Sequence, residues 1–290
     1  MCLIAWNWQP SSSTPLLLVG NRDEFYARPA QPLRWWDGGQ ILAGKDLRAG
    51  GTWLGVTRTG RLAALTNYRD APGAGKASQL PADAPSEVPS EAPTRGELVT
   101  EFLQSDQSAS VFLQRLASRA QRYNAFNLLV FDGIQLLGLQ SRQAEIVVMQ
   151  PGIGALSNAD FHSPWPKLVW LQDALKNHIN TQPTHAGGHD ADRSFDAEAL
   201  FSILKNDATA PDDALPQTGL PLARERALSA AFIVSPGYGT RASSVVRIGL
   251  TQVEFVERSF DAQKDLGTQR YRFLLGPGAQ SPMVVHAHTR

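Results

Sequence analysis

The N-terminal stretch MCLIAWNWQPSSSTPLLLVGNRDEFY, residues 1–26, decides the fold of this chain. Its apolar runs at 3–6 and 16–19 flank a turn-rich segment at 9–15, a pattern that predicts a β-hairpin. Antiparallel pairing returns the end of the second strand to the start of the first. Cys2, the only cysteine, would therefore lie beside Arg22, Asp23 and Glu24.

That arrangement has a chemical use. Removal of Met1 would leave Cys2 with both a thiol and a free α-amine, which titrates at about pH 7.7–8.0 in model compounds. Arg22 would supply a cation that makes the thiol more reactive, and Asp23 or Glu24 would orient the amine as the base. The alternative is structural: a free cysteine behaves as a small hydrophobe at the start of a buried strand, and the charged run forms a solvated turn.

Composition limits the function classes. The chain has 290 residues, 27 basic and 27 acidic side chains and 42% apolar residues, enough for one large or two small α/β domains. No basic stripe is present, which argues against nucleic-acid binding. One cysteine excludes an internal disulfide and indicates a reducing compartment. The N-terminus lacks a basic region before its short apolar runs, so we predict a cytoplasmic protein without signal peptide or integral membrane segment.

The rest of the chain alternates predicted strands and helices. The predicted strands lie at 41–43, 52–56, 61–66, 127–131, 134–139, 145–149, 230–234, 245–248, 253–256 and 268–276. Two amphipathic helices are predicted between 95 and 122, and two more at 165–179 and 195–204. This order predicts an α+β fold, with two largely antiparallel sheets packed together and helices on their outer faces.

Two segments differ from this pattern. Residues 71–94 are rich in Pro, Ala and Ser and predict a mobile insertion. We therefore predict one domain over 1–276 with this insertion, and a loose C-terminal tail at 277–290.

Neither a phosphate loop nor a metal site is predicted. The run from Gly39 to Lys45 resembles a P-loop, but Asp46 stands where Ser or Thr would ligate magnesium. The His pairs at 185/189 and 286/288 are set among glycines or in the tail, and we expect them to be solvated.

Several motifs together resemble the NRDE family, also called the transport and Golgi organisation family. They are Met1-Cys2, Asn21 to Tyr26 with Arg28-Pro29, Ala43 to Leu47, Gly50 to Val56, Leu65 to Arg69, Ser157-Asn158, Trp165 to Lys167 and Tyr238 to Arg241. The resemblance covers nearly the whole chain. It implies an N-terminal-nucleophile hydrolase fold, a four-layer αββα sandwich similar to that of the bile-salt and penicillin V amidases.

The resemblance also implies roles for particular residues. Cys2 would be the nucleophile, flanked by Arg22 and by Asp23 or Glu24, while Asn67 and Asn158 would serve the oxyanion and the amine. Arg241, Tyr68 and Trp53 form the predicted substrate-binding set. From the residues alone, Asn67 is either an oxyanion donor or a turn cap, and Arg241 either binds a carboxylate or phosphate or covers a turn. The amidases separate their Arg and Asp by three residues, so which acid meets the amine stays open.

Two functions follow. The first is a Cys2-dependent hydrolase of a linear amide or acyl group that requires no cofactor. The second is a non-enzymatic carrier of haem or acyl-CoA, because the family has been linked to haem trafficking and lipid homeostasis. In the second case an apolar pocket would be lined by tryptophans at positions 6, 8, 35, 36 and 53, and the alternative is that most of these tryptophans belong to the core. In both cases the partner is a small molecule.

Overall fold

The computed structural model describes residues 2–69, 92–161, 163–181, 196–262, 264–275 and 283–284. Most of the predicted 71–94 insertion, the loop with His185 and His189, and most of the predicted tail lie outside these residues.

Two antiparallel sheets form the centre of the protein. The first sheet has eight strands in the order β10-β1-β2-β12-β13-β14-β15, with β11 also paired to β12. Its strands are β1 Cys2–Trp8, β2 Leu16–Phe25, β10 Gly152–Leu156, β11 Val234–Ser235, β12 Tyr238–Ile248, β13 Gln252–Asp261, β14 Lys264–Leu274 and β15 Met283–Val284. The second sheet has seven strands in the order β3-β4-β5-β6-β7-β8-β9. They are β3 Ala30–Trp35, β4 Ile41–Asp46, β5 Leu54–Thr57, β6 Leu62–Asn67, β7 Phe126–Phe131, β8 Leu136–Gln140 and β9 Glu145–Val148.

Helices cover the outer face of each sheet. They are α1 Gly96–Gln104, α2 Ala109–Ala117, α3 Pro166–Thr181, α4 Ala197–Leu204 and α5 Leu222–Leu228. Helices α1 and α2 pack their apolar faces on the second sheet, and α3 and α4 pack on the first. A third cluster, which includes Ile4, Phe131 and Phe255, fills the space between the sheets. The four-layer αββα order predicted above is confirmed.

The predicted N-terminal hairpin is confirmed in detail. β1 and β2 pair so that Cys2 faces Arg22, Leu3 faces Asn21 and Trp8 faces Leu16. Because side chains alternate along a strand, Cys2 and Ile4 enter the core between the sheets, whereas Leu3 enters the core beneath the helices. This alternation determines where each residue of the Asn21–Glu24 run points.

The structure differs from the predicted secondary structure at several places, including an unpredicted strand at β10 and a strand at β15 within the predicted tail. The apolar run at 230–234 is a strand only at its last residue. Residues 230–233 are buried, but the run is not part of a strand ladder at Phe232, whose N donates to Asn206 O at 2.7 Å. Helix α5 was not predicted, and strand β3 was missed because Pro32 lies in it and its pairing with β4 is irregular between Gln31 and Arg34.

In the part of the chain that the structure describes, none of the helices combines the length and the apolar character that crossing a bilayer requires.

Candidate active site at the head of the first strand

Cys2 begins β1 at one end of the first sheet, directly opposite Arg22. Its side chain is 6% exposed and belongs to the core between the sheets. Burial raises the pKa of the Cys2 thiol to about 11, and the nearby Arg22 guanidinium offsets only part of this effect. The thiol is therefore neutral at physiological pH, and an attack by sulfur needs a base that removes its proton as the new bond forms.

Arg22 lies on β2, and its side chain is on the same face of the first sheet as that of Cys2. It links this sheet to the second one. Its Nη2 is 3.6 Å from Glu24 Oε2 and 3.6 Å from Oδ2 of Asp46, which ends β4 of the second sheet. Arg28 Nε donates to the same Asp46 oxygen at 2.7 Å. These four side chains are 12–28% exposed, so they form a partly buried charge network that links β2 to the end of β4.

Asp23 points to the opposite face of β2, beneath the helices. It is 1% exposed, and its Oδ1 accepts a hydrogen bond of 2.8 Å from Thr240 Oγ1. Burial raises the pKa of the Asp23 carboxyl, and the ammonium of Lys167 is the largest influence that lowers it. Asp23 and Glu24 therefore occupy different environments, one buried beneath the helices and the other in the network between the sheets.

Lys167 lies in the first turn of α3 and is only 4% exposed. Its Nζ has no hydrogen-bond acceptor among the described residues. Burial lowers the pKa of Lys167 to about 8, with Asp23 the largest opposing influence and Cys2 and Glu225 smaller ones. The sequence analysis did not select this residue. A signal was nevertheless available, because Lys167 occupies the same helical stripe as buried Leu171 and Leu175.

Asn21 connects three segments to β2. Its Nδ2 donates to Leu204 O and Ala231 O, both at 2.8 Å, and its Oδ1 accepts from Ser243 Oγ at 2.7 Å. The side chain is fully buried, so these three bonds hold the end of α4 and the segment before β11 against the sheet.

We expect Asn21→Ala to lower the free energy of unfolding by about 3 kcal/mol, because two buried carbonyls and a hydroxyl lose their partner. Urea unfolding followed by circular dichroism measures the change. The matched control is Asn7→Ala in the same hairpin, where the amide oxygen makes only an exposed bond to Gln9, and we expect a change within about 0.5 kcal/mol. Equal costs for the two variants would contradict a structural role for Asn21.

The two predicted amide residues have different positions. Asn158 is fully buried; its Nδ2 donates to Asn67 O at 2.8 Å, and its backbone O accepts from Arg69 N at 2.7 Å. Ser157 Oγ lies 3.2 Å from the Cys2 carbonyl oxygen and 3.1 Å from Asn158 Oδ1, so it ties the end of β10 to the start of β1. Asn67 is partly exposed at the end of β6, and within the described ranges its side-chain amide makes no hydrogen bond. Asn158 thus fixes the strand end that carries Asn67.

The structure also positions the predicted substrate-binding residues. Arg241 is the extra residue of a β-bulge opposite β2, and its guanidinium donates to the backbone oxygens of Phe25, Tyr26, Arg28 and Phe260 at 2.9–3.1 Å. Tyr68 donates to Asp160 Oδ1 at 2.8 Å. Trp53 is 8% exposed and packs beside Gly20 in the core between the sheets. A substrate contact of any of the three stays a prediction.

The tryptophans contribute mainly to packing. Trp6, Trp8 and Trp53 are buried between the sheets, Trp35 packs edge-on against Phe273, and Trp36 Nε1 donates to Ala43 O. A groove of about 460 Å³ lies elsewhere, at the end of β1 and the start of β10 beside α3, and its lining includes Gln9, Gln172 and Lys176 but none of the predicted site residues. Within the described ranges no group of three or more His, Cys, Asp or Glu side chains is arranged to hold a metal ion.

Together, the fold and the site define a layered αββα protein with a buried cysteine at the head of its first strand, between two differently placed carboxylates. Residues 1–262 match the family described as Transport and Golgi organisation 2. The chain is 32% identical to the Transport and Golgi organization protein 2 homolog of Bos taurus, over 89% of this chain and 93% of that one. It is also 32% identical to the homolog of Homo sapiens, over 95% and 99% of the two chains. The chain belongs to the Transport and Golgi organisation 2 family.

Two solved structures match this chain at low similarity. One is an N-acylethanolamine-hydrolyzing acid amidase ortholog from Caenorhabditis elegans, with a TM-score of 0.37 and 11% identity over 84% of this chain and 92% of that one. The other is a mutant of conjugated bile acid hydrolase from Clostridium perfringens, with a TM-score of 0.38 and 9% identity over 98% and 92% of the chains. At these values the likeness gives no residue correspondence.

Proposed function

We propose that this protein is a hydrolase that uses Cys2, with Met1 removed, to cleave a linear amide or related acyl group. The observation that carries the proposal is the position of Cys2. It lies at the head of β1, opposite Arg22, where the charges of Asp23 and Lys167 act on it. A neutral, buried thiol beside a chain terminus needs a nearby base, and the α-amine of Cys2 is the base closest to its own sulfur.

The proposed reaction has two halves. In the first, Sγ attacks the acyl carbon while the α-amine accepts the thiol proton, and the amine then passes this proton to the leaving nitrogen as the C–N bond breaks. The product is a thioester on Cys2. In the second, water attacks the thioester while the α-amine accepts a proton from the water. The amine then returns this proton to the sulfur as the C–S bond breaks, which releases the carboxylic acid and regenerates the Cys2 thiol.

Asn67 is the proposed side-chain donor to the oxyanion. Its amide is partly exposed and makes no hydrogen bond in the described structure, while Asn158 holds its backbone in place. A donor of this kind stabilises the developing negative charge by about 2.7–4 kcal/mol in comparable sites. Arg22 would stabilise the thiolate as the proton leaves, and Glu24 and Asp46 fix the guanidinium.

The proposal requires removal of Met1, which is directly testable. Two preparations are compared: one cleaved from a fusion so that it begins at Cys2, and one that retains Met1. With a series of N-acyl aminomethylcoumarin amides as probes, we expect hydrolysis about 10²–10⁴-fold faster when Cys2 is N-terminal, the contribution typical of a positioned base.

Intact-mass spectrometry provides the control, because an acyl adduct should accumulate only on the form that begins at Cys2. Equal hydrolysis by the two preparations would contradict the proposed role of the α-amine.

The haem or acyl-CoA carrier is the competing proposal. It needs an apolar cavity, and the tryptophans that suggested one are used largely in packing. Titration with haem separates the two functions: a saturable shift of the Soret band in protein that hydrolyses none of the amides would favour the carrier.

A further inference from the structure

The search for a further functional residue leads to the buried polar cluster beneath the first turn of α3. Leu168, Leu171 and Leu175 fix this helix against the first sheet in a shared core with Leu3 and Ala155. Leu3 pairs with Asn21, so the face of β2 beneath the helix is also the face of Asp23. Lys167 therefore enters the same buried layer as Asp23, close to the head of β1.

The opposite charges of Asp23 and Lys167 each offset part of the free-energy cost of burying the other. Asp23 is 1% and Lys167 4% exposed, and an isolated charge at either position would be expensive. Among the described residues the Lys167 ammonium has no hydrogen-bond acceptor. Lys167 thus acts on Asp23 through the field of its charge rather than through a bond.

We propose that Lys167 is a positioning residue of the Cys2 site: its buried ammonium favours the carboxylate form of Asp23, and that carboxylate holds and orients the α-amine of Cys2. This inference rests on the proposed function and adds a residue to it. Asp23, rather than Glu24, is then the acid that meets the amine, because Glu24 is engaged with Arg22 and Arg28 on the other face of β2.

Other charges face the same cluster. Arg69 repels the Lys167 ammonium, and Glu225 attracts it. The positively charged N-terminus and Arg22 favour the ionised form of Asp23, and burial, followed by the Asp23 carboxylate, raises the pKa of Tyr238. Arg69 pairs with Glu225 at 3.0 Å, and Lys167 is the cation with the largest electrostatic effect on Asp23.

The test measures the pH dependence of Cys2 alkylation by iodoacetamide in protein that begins at Cys2. We expect Lys167→Met to slow alkylation at pH 7.5 about tenfold and to move the midpoint of the pH profile upward. Lys167→Arg, which keeps the charge, should restore most of the rate. The matched control is Lys176→Met on the exposed side of the same helix, which should leave the profile unchanged.

A merely structural effect gives a different result, because loosening of the fold would expose the thiol, speed alkylation and move the midpoint downward, towards the ordinary pKa of a thiol. That result, or a Lys167→Met profile identical to the wild type, would overturn the inference. If Lys167→Met does not fold, Asp23→Asn provides the second arm. Since Lys167 acts through Asp23, Lys167→Gln should have no added effect in the Asp23→Asn background, and a full additional effect would also overturn the inference.

The alkylation profile does not depend on turnover, so the two proposals can fail separately. Absence of amide hydrolysis with a Lys167-dependent alkylation profile would reject the proposed function and retain the electrostatic role of Lys167. Hydrolysis that needs Cys2 but is unaffected by Lys167→Met would do the reverse.

Discussion

Cys2→Ala is expected to abolish hydrolysis of the acyl aminomethylcoumarin probes, with a fall in kcat of about 10⁴-fold or more. The reason is that a covalent intermediate cannot form without the sulfur, and loss of a nucleophile in a comparable catalytic unit costs about 10⁶-fold. Steady-state hydrolysis and intact-mass detection of the acyl adduct measure the effect. Cys2→Ser is the informative companion, because a hydroxyl has the same shape but is a poorer nucleophile, and it should retain a trace of adduct formation. Full hydrolysis by Cys2→Ala would eliminate the proposed function.

Cys2→Ala should also change how the free energy of unfolding depends on pH, and this effect does not depend on turnover. Burial raises the pKa of the Cys2 thiol from 9.0 to about 11, so the folded protein holds the thiol proton more tightly than the unfolded chain does. The resulting stability, about 3 kcal/mol by the linkage relation, is fully present below pH 9 and is lost as the pH rises through 11. The difference in free energy of unfolding between wild type and Cys2→Ala should therefore shrink over this window and stay constant below it. A difference that does not change with pH would show that the thiol is not held in a buried, neutral state.

Arg69→Met is expected to lower the free energy of unfolding by about 3–5 kcal/mol, the largest loss of stability that we predict. Arg69 Nη1 pairs with Glu225 Oε2 at 3.0 Å, and the two side chains are 3% and 5% exposed. The guanidinium also lies over the Trp165 ring at 4.7 Å. Removal of one partner leaves a buried charge without compensation, which is the costly case for a buried ion pair.

A double-mutant cycle tests this account. Because Arg69→Met/Glu225→Gln removes both charges, the double variant should recover much of the stability lost in Arg69→Met. The matched control is Arg226→Met, at the residue that follows Glu225 in α5. It breaks an exposed ion pair with Asp212, and the urea midpoint should not change measurably. Additive losses in the Arg69/Glu225 cycle would contradict the buried-pair account.

Prediction from the sequence was most reliable where local pattern and geometry agree. The alternation of apolar residues in 1–26 predicted the hairpin, and its register brought Cys2 opposite Arg22. Prediction failed where an apolar segment was buried without joining a strand ladder, as at 230–233, and where Pro32 interrupted an edge strand. The helices α1 to α4 were predicted because each has a continuous apolar stripe.

The sequence alone determined the layered fold, the hairpin and the set of residues brought to the head of β1, because strand alternation and turn spacing are local properties. Only the tertiary structure decided which surroundings, and therefore which role, each residue from Asn21 to Glu24 has. Adjacent residues on a strand point to opposite faces, so their roles depend on which layer packs on each face. Beneath the helices Asp23 lies in the same layer as Lys167, and between the sheets Arg22 and Glu24 meet Asp46. Lys167 and Asp46 are distant from Cys2 in sequence, and no local pattern indicates which charges the packing of α3 and β4 brings to the thiol.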